Sequence, residues 1–192
     1  EILMIIAGID YSIRTPSICV FAAKEDEAFT FQRCRFYFLT DTKKYADFFL
    51  KNIQGERAQD WNSDEERYKS IADWAIDKLK GCEHIALEGY SFGSKGKVFH
   101  IAENTGILKY KIHNMGVPLE VIPPTTVKKF ATGKGNADKT MMHNSFKEDT
   151  GIDLKTTITP DKGMVDNPVS DIVDSFYICK NLHDTILRSY SQ

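Results

Sequence analysis

Four acidic residues in distant parts of the sequence have the types and positions to form a metal-binding site. Asp10 ends the apolar stretch LMIIAGID, Glu88 ends the short stretch HIALE, and Asp171 and Asp174 lie three residues apart in NPVSDIVD. Carboxylates brought together repel one another unless a cation neutralises them, and ligand sets made only of oxygen favour magnesium or manganese over zinc. The four acids therefore predict a Mg²⁺ site at which Mn²⁺ would substitute.

The sequence leaves an ordinary structural explanation open for these acids. Asp10 could begin a turn or cap a helix after its strand. Two acids near a helix N-terminus could complement the helix dipole. This explanation suits Asp171 better than Asp174, because the apolar neighbours of Asp174 predict a helix packed closely on the sheet.

Strands are expected to position Asp10 and Glu88. The run that contains Asp10 is continuously apolar, which is typical of a strand buried on both faces at the centre of a sheet. The next two segments are joined by a short acidic link and predict an antiparallel meander with the first. Five strands are predicted, at residues 3–12, 17–24, 28–39, 84–90 and 118–123.

Helices predicted from apolar periodicity and capping residues complete the chain. Ser63 and Asn136 are predicted N-caps, and Asn167 is predicted to cap the last helix with Pro168 at its first position. The predicted helices lie at residues 63–80, 98–115, 125–130, 137–149 and 167–188. Residues 40–62 are predicted to be an irregular or partly helical insertion, and residues 156–166 a surface loop. The order βββ-α-β-α-β-α-α predicts one α/β domain, residues 1–192, with a five-stranded mixed sheet flanked by helices.

Length and composition narrow the class of protein. A chain of 192 residues suits one well-packed domain. No apolar stretch approaches the roughly 20 residues of a membrane span, so no membrane partner is expected. The four cysteines lie far apart without a CxxC pair, which argues against zinc and favours a reducing compartment. The protein is expected in the cytoplasm, or in the host cytoplasm if it is viral.

Lysines are concentrated in the middle of the chain, although the net charge of the whole chain is −2. Between residues 93 and 147 there are nine lysines against three acids, Glu103, Glu120 and Asp138. Such a basic segment can contact DNA, but lysines on solvated helix faces are also common. The charge pattern leaves both interpretations open.

The sequence resembles the RuvC family of Holliday junction resolvases, within the ribonuclease H-like nucleases, and in particular its phage-encoded members. Five short motifs carry this resemblance in the family's order and run nearly from end to end of the chain. They are GIDYS at 8–12, ALEGYSF at 86–92, VKKF at 127–130, GNADKT at 135–140 and NPVSDIVD at 167–174.

The resemblance implies a ribonuclease H-like fold in which the strands of Asp10 and Glu88 are neighbours. It implies that Asp10, Glu88, Asp171 and Asp174 bind two Mg²⁺ ions and that Lys139 is a catalytic or phosphate-contacting residue. It also implies a homodimer joined through the helix at 98–115, although burial of this helix within the monomer is an open alternative. The candidate DNA contacts are Lys95, Lys97, Lys128, Lys129, Lys134, Tyr90 and Phe92.

The sequence departs from the family pattern at two of the motifs, and residues 40–62 and 156–166 have no obvious family counterpart, which leaves the preferred substrate open. Tyr11-Ser12 stands where the family usually has Pro-Gly, at the turn after the first aspartate. Tyr90 and Phe92 flank the position at which family members carry an aromatic residue that opens the junction, so both are candidates for this role and core packing is the alternative.

The resemblance implies an endonuclease that cleaves Holliday junctions and related branched DNA by two-metal-ion hydrolysis. A nuclease of the same fold that acts on flaps, RNA–DNA hybrids or other branched DNA is an alternative. A second alternative is a fragment of a nucleotide-binding ATPase, since actin-like kinases also have a first strand that ends in an aspartate. A third is a DNA-binding protein without catalytic activity.

Overall fold

A seven-stranded mixed sheet with helices on both faces forms the protein. The computed structural model describes residues 3–24, 26–90, 96 and 98–191. The strands follow the order β4-β5-β3-β2-β1-β6-β7 across the sheet. They are β1 (Leu3–Asp10), β2 (Ser17–Lys24), β3 (Cys34–Thr40), β4 (Phe49–Leu50), β5 (Ile53–Arg57), β6 (His84–Glu88) and β7 (Leu119–Ile122).

The directions of the strands decide which residues meet at each edge. β1 pairs with β2 in antiparallel register and with β6 in parallel register. β3 pairs antiparallel with β2, so the carboxyl ends of β1, β3 and β6 lie at the same edge. The predicted meander, the mixed sheet and the adjacency of the Asp10 and Glu88 strands are confirmed.

The number of strands was predicted wrongly, because the insertion at 40–62 contains two of them. β5 runs parallel to β3 and carries the buried Ile53, and β4 closes the sheet on its far side. A Cβ on Gly55 would lie 2.5 Å from the ring of Phe38 and from the carbonyl oxygen of Tyr45, so the backbone of β5 packs closely here. Glycine weakens the strand signal in a sequence, which is why this strand was missed.

The predicted third strand begins too early. Residues 31–33 form a 3₁₀ turn, and β3 starts only at Cys34. The side-chain amide of Asn52 donates hydrogen bonds of 2.8 Å to the carbonyl oxygens of both Phe31 and Cys34, which fixes this turn. The local structure here depends on Asn52, which lies 18 or more residues away in the sequence. The alternation of apolar residues does not reveal this contact.

Six α-helices flank the sheet in the described part of the chain. They are α1 (Asp64–Lys78), α2 (Val98–Met115), α3 (Pro124–Thr132), α4 (Lys139–Thr150), α5 (Leu154–Ile158) and α6 (Val169–Tyr190). The predicted N-cap Ser63 is confirmed, since its side chain accepts the backbone N–H of Glu66. The predicted cap of α4 is wrong, because Asp138 rather than Asn136 accepts the N–H of Met141. Residues 156–158 belong to α5 and not to a loop.

Each face of the sheet has its own hydrophobic core. One core lies between the sheet and α6, with α3, α4 and α5 around it, and includes Phe21, Phe36 and Phe176. The other lies under α1 and α2 and includes Ile9 and Leu108. All four cysteines are buried and unpaired. Among the described helices, none has the length and apolar character needed to cross a membrane.

Candidate active site

Asp10 and Glu88 lie side by side at the carboxyl edge of the sheet. Ile9 pairs with Leu87 in the parallel register of β1 and β6, so the residue that follows each of them falls at the same level. Ile9 and Leu87 are fully buried, whereas Asp10 and Glu88 are half-buried. Strand ends therefore hold both carboxylates rigidly at a surface that solvent and ligands can reach.

Helix α6 brings the other two acids to this edge. Cys179 packs directly on Gly8, and the hydroxyl of Ser175 lies 3.2 Å from that of Ser17, the residue paired with Asp10. The helix thus runs antiparallel to β1, and its N-terminus lies over the end of β1. Its first turns place Asp171, which is buried, and Asp174, which is half-buried, beside Asp10 and Glu88. The structure brings all four predicted acids together.

Burial and mutual repulsion raise the pKa of every acid in this cluster. Burial raises the pKa of Glu88, Asp171 and Asp174 to about 7, and the charge of Asp174 adds to the rise for Glu88 and Asp171. The pKa of Asp10 lies well above its usual range because of burial and the charges of Asp171, Asp174 and Glu88. Four carboxylates so close together make the site strongly attractive to cations.

The four carboxylates are the type of ligand that a hard metal ion prefers, although their side chains do not have the geometry of a metal site in this structure. Oδ2 of Asp171 is buried and has no hydrogen-bond partner. Asp10 and Asp171 are hydrogen-bonded to each other, which also raises the pKa of Asp10. Within the described ranges, no group of three or more His, Cys, Asp or Glu side chains has the geometry of a ready-made metal site. The metal site therefore stays a prediction, and binding of an ion requires a carboxylate to turn and its proton to leave.

Two lysines, on α3 and α4, lie near the acids. Lys128, on α3, opposes the rise in the pKa of Glu88 and Asp174, and Lys139, at the first position of α4, opposes it for Asp171 and Asp174. Nζ of Lys139 lies 3.0 Å from Oδ1 of Asp166. Both lysines thus lie near the acids, and their roles in contacting DNA and phosphate stay predictions.

Three residues that hold this site were not predicted from the sequence. Hydrogen bonding from the Thr15 hydroxyl lowers the pKa of Asp171, and the side-chain amide of Asn167 donates to Thr15 Oγ1 at 2.9 Å. Asp166 pairs with Lys139, and this pairing lowers the pKa of Asp166 to about 2. Asp166 and Asn167 immediately precede Pro168, which is a sequence signal for a helix start. The predicted cap of α6 is wrong by one residue, because Pro168 rather than Asn167 is the N-cap and the helix begins at Val169.

The remaining predicted DNA contacts are only partly placed. Lys129 and Lys134 are exposed. Tyr90 is 43% exposed, so core packing does not explain it, and Nζ of Lys109 lies 5.3 Å from the centre of its ring. Phe92, Lys95 and Lys97 lie outside the described residues, and their predicted roles stay predictions.

Comparison with solved structures identifies the fold. Thermus thermophilus RuvC in complex with a Holliday junction substrate is 16% identical, covers 97% of this chain and 96% of its own, and has a TM-score of 0.63. The yeast mitochondrial Holliday junction resolvase Ydc2 is 15% identical over 96% of this chain and 80% of its own, with a TM-score of 0.55. The chain has the fold of the RuvC resolvases.

A viral resolvase belongs to the same structural neighbourhood. The fowlpox virus resolvase in complex with Holliday junction DNA is 17% identical over 96% of this chain and 99% of its own, with a TM-score of 0.50. No protein-family model and no curated protein sequence matches the chain. The predicted ribonuclease H-like fold is thus confirmed, and the four acids lie on a resolvase fold.

Proposed function

We propose that the protein is a metal-dependent endonuclease that cleaves Holliday junctions and related branched DNA. The observation that carries this proposal is the convergence of Asp10, Glu88, Asp171 and Asp174 at one edge of a resolvase fold. The unpartnered buried Oδ2 of Asp171 supports the metal dependence, because a buried carboxylate oxygen needs a cation or a donor.

The four acids would hold two Mg²⁺ ions, which supply an activated water and neutralise charge on the phosphate and on the leaving oxygen. Asp10, whose pKa is raised by the charges of the other three acids, would be one of the ligands. Lys128 and Lys139 bring positive charge to the side of the acids at which a phosphate would enter. Lys139 also lies at the N-terminus of α4, where backbone N–H groups favour an anion.

A panel of DNA substrates tests the proposed function. End-labelled four-way junction, Y-shaped DNA, flap, RNA–DNA hybrid and linear duplex are each incubated with the protein and either Mg²⁺ or EDTA. Cutting of the junction in Mg²⁺ but not in EDTA, with the linear duplex intact, is expected. Cutting of the flap or hybrid alone would support the alternative nuclease, and no cutting of any substrate would overturn the proposal.

A homodimer with two sites would match the two strands that must be cut in a junction. The inward face of α2, with Thr105, Leu108 and Ile112, is buried in the monomer, so these residues of the predicted interface belong to the core. The outward face carries Phe99 and Tyr110, which are 82% and 66% exposed. We propose this outward face of α2 as the dimer contact.

Two adjacent lysines on α3 are predicted to have different roles, one in catalysis and one in binding. Lys128 lies close enough to the acids to change their pKa, whereas Lys129 is exposed on the same helix. Lys128→Gln is expected to slow cleavage of bound junction by about 100-fold. Lys129→Gln should leave that rate unchanged and weaken binding. The slope of log affinity against log salt concentration should become shallower by about one. Single-turnover cleavage and binding at several salt concentrations measure both, and equal effects of the two variants would contradict the assignment.

The raised pKa values predict how stability depends on pH in the absence of metal. Glu88, Asp171 and Asp174 titrate near pH 7 in the folded protein and near pH 4 when unfolded, so the folded state binds more protons between these values. Their contribution to stability is present below pH 4 and is lost as pH rises through 7. The unfolding temperature in EDTA is therefore expected to fall between pH 5.5 and pH 8.

Magnesium should reverse this loss at pH 8. An ion at a free concentration of about 100 times its dissociation constant adds about 2.7 kcal/mol to the free energy of unfolding. This corresponds to a rise of about 5–10 °C in the unfolding temperature. The rise should be smaller at pH 5.5, where protons compete for the same oxygens. Asp174→Asn is the control and should reduce both the pH dependence and the response to magnesium. If Mg²⁺ does not change the unfolding temperature at pH 8, that result would contradict the proposed metal site.

A further inference from the structure

A cavity of about 190 Å³ opens at the same edge of the sheet, between β5 and α1. Its lining includes three arginines and two tryptophans, which are Arg14, Arg57, Arg67, Trp61 and Trp74. We refer to it as the arginine–tryptophan pocket. None of its residues belongs to the acid cluster or to the lysines that face the cluster.

Apolar and aromatic side chains form part of the lining of the pocket. Leu39, Ile71 and the indole ring of Trp74 line it. Nε1 of Trp74 is buried and donates to no acceptor in the described part of the protein. A buried N–H without an acceptor is costly, and a ligand that brings an acceptor into the pocket would remove that cost.

Three arginines and two carboxylates lie around the mouth of the pocket. The guanidinium of Arg67 lies 4.9 Å from the centre of the Trp61 ring and donates to the carbonyl oxygen of Ile13 at 3.0 Å. Arg14 and Arg57 are 67% and 71% exposed at their side chains; Arg14 lies 2.9 Å from Asp41, which also lines the pocket, and Arg57 lies 4.0 Å from Asp60. Three arginines thus line the pocket against two carboxylates, and one of those, Glu56, lies 2.6 Å from Nζ of Lys78.

One loop joins this pocket to the acid cluster. Residues 11–16 follow Asp10 directly, and Thr15 in this loop hydrogen-bonds to Asp171. Ile13, Arg14 and Pro16 of the same loop form a wall of the pocket. The wall of the pocket therefore begins three residues after Asp10 in the sequence, at Ile13.

We infer that the arginine–tryptophan pocket binds one unpaired nucleotide of the DNA strand next to the acids. A cavity of about 150 Å³ accepts a benzene ring, so this one has room for a single aromatic ring of similar size. The base would stack within the pocket and accept a hydrogen bond from Trp74, and the arginines would contact its phosphate. A base paired in a duplex cannot enter, so the pocket selects DNA that is unpaired beside the cut. This inference rests on the proposed function, because the DNA strand next to the acids is the substrate of the proposed nuclease.

Intrinsic fluorescence tests the pocket directly, because the two tryptophans of the chain, Trp61 and Trp74, both line it. The wild-type protein in EDTA is titrated with a short oligothymidylate, with an abasic oligonucleotide of the same length, and with thymidine 5′-monophosphate. Saturable quenching by the oligothymidylate, absent with the abasic strand, is expected. Quenching by the mononucleotide at similar concentrations would show that the base and one phosphate suffice. Equal quenching by the abasic strand would overturn the inference.

Variants separate the pocket from general attraction to DNA. Arg57→Gln, at an exposed side chain, and Trp74→Phe, which keeps a ring but removes the N–H, are each expected to weaken oligothymidylate binding at least about 10-fold. Arg35→Gln is the matched control, since Arg35 is exposed on β3 away from the pocket. Anisotropy of a labelled oligonucleotide measures all three, with unfolding curves to verify folding. Equal affinity of Arg57→Gln and Arg35→Gln would overturn the inference.

The same proteins distinguish failure of the pocket from failure of the proposed function. Junction cleavage in Mg²⁺ without base-dependent quenching in EDTA would overturn the pocket and leave the nuclease standing. Base-dependent quenching by a protein that cuts no substrate would support the pocket and overturn the nuclease.

Discussion

Replacement of Asp10 by asparagine is expected to reduce Mg²⁺-dependent cleavage of a four-way junction by at least about 1000-fold, with binding of the junction nearly unchanged. Asp10 is the acid whose pKa is raised by all three of the others, so it lies at the centre of the cluster. Asparagine keeps the shape of the side chain but removes the charge that holds a cation, and each tenfold loss of rate corresponds to about 1.4 kcal/mol.

Stability measured on the same variant separates a catalytic role from a structural one. Asp10→Asn removes one of four mutually repelling charges, so its unfolding temperature in EDTA at pH 8 should equal or exceed that of the wild type. The control is Asp184→Asn, on the same helix as Asp171 but exposed and paired with Arg188. The control should cleave at the wild-type rate. Cleavage by Asp10→Asn at a rate near that of the wild type would refute the role given to the acids.

Replacement of Gly8 by alanine is expected to destabilise the whole protein by about 3 kcal/mol or more. A Cβ on Gly8 would lie 2.7 Å from Cα of Cys179 and would also clash with its backbone nitrogen. Backbone atoms in the middle of α6 cannot move aside as a flexible side chain can. The helix would have to lift from β1, and with it Asp171 and Asp174 would leave the site.

Chemical and thermal unfolding measure this effect. A loss of about 3 kcal/mol corresponds to a fall of about 6–12 °C in the unfolding temperature. Gly163→Ala is the matched control, because a Cβ there meets nothing within 4 Å. A Gly8→Ala protein as stable as this control would show that α6 does not pack on β1 in the way described.

The acid cluster could be predicted from the sequence because its signals are local. β1 is an uninterrupted apolar run that ends in Asp10, and α6 combines an apolar stripe with Asp171 and Asp174 one turn apart. The order of the elements then fixes which strand ends meet. Residues whose environment is set by their own strand or helix were therefore placed correctly.

Features that depend on distant partners could not be predicted in this way. β5 is recognisable only through its pairing with β3, since Gly55 interrupts its pattern. The role of Thr15 depends on Asn167, 152 residues away. Both faces of α2 carry apolar residues, and the packing of Leu108 and Ile112 in the core identifies which face is buried.

Anomalous diffraction from crystals of the protein grown with Mn²⁺ tests the proposed chemistry most directly, because it locates the ions without reference to activity. Two Mn²⁺ peaks bound by carboxylate oxygens of Asp10, Glu88, Asp171 and Asp174 are predicted, with the hydrogen bond between Asp10 and Asp171 replaced by contacts to metal. Mn²⁺ bound only at other carboxylates, with none at these four acids, would contradict the proposed two-metal site.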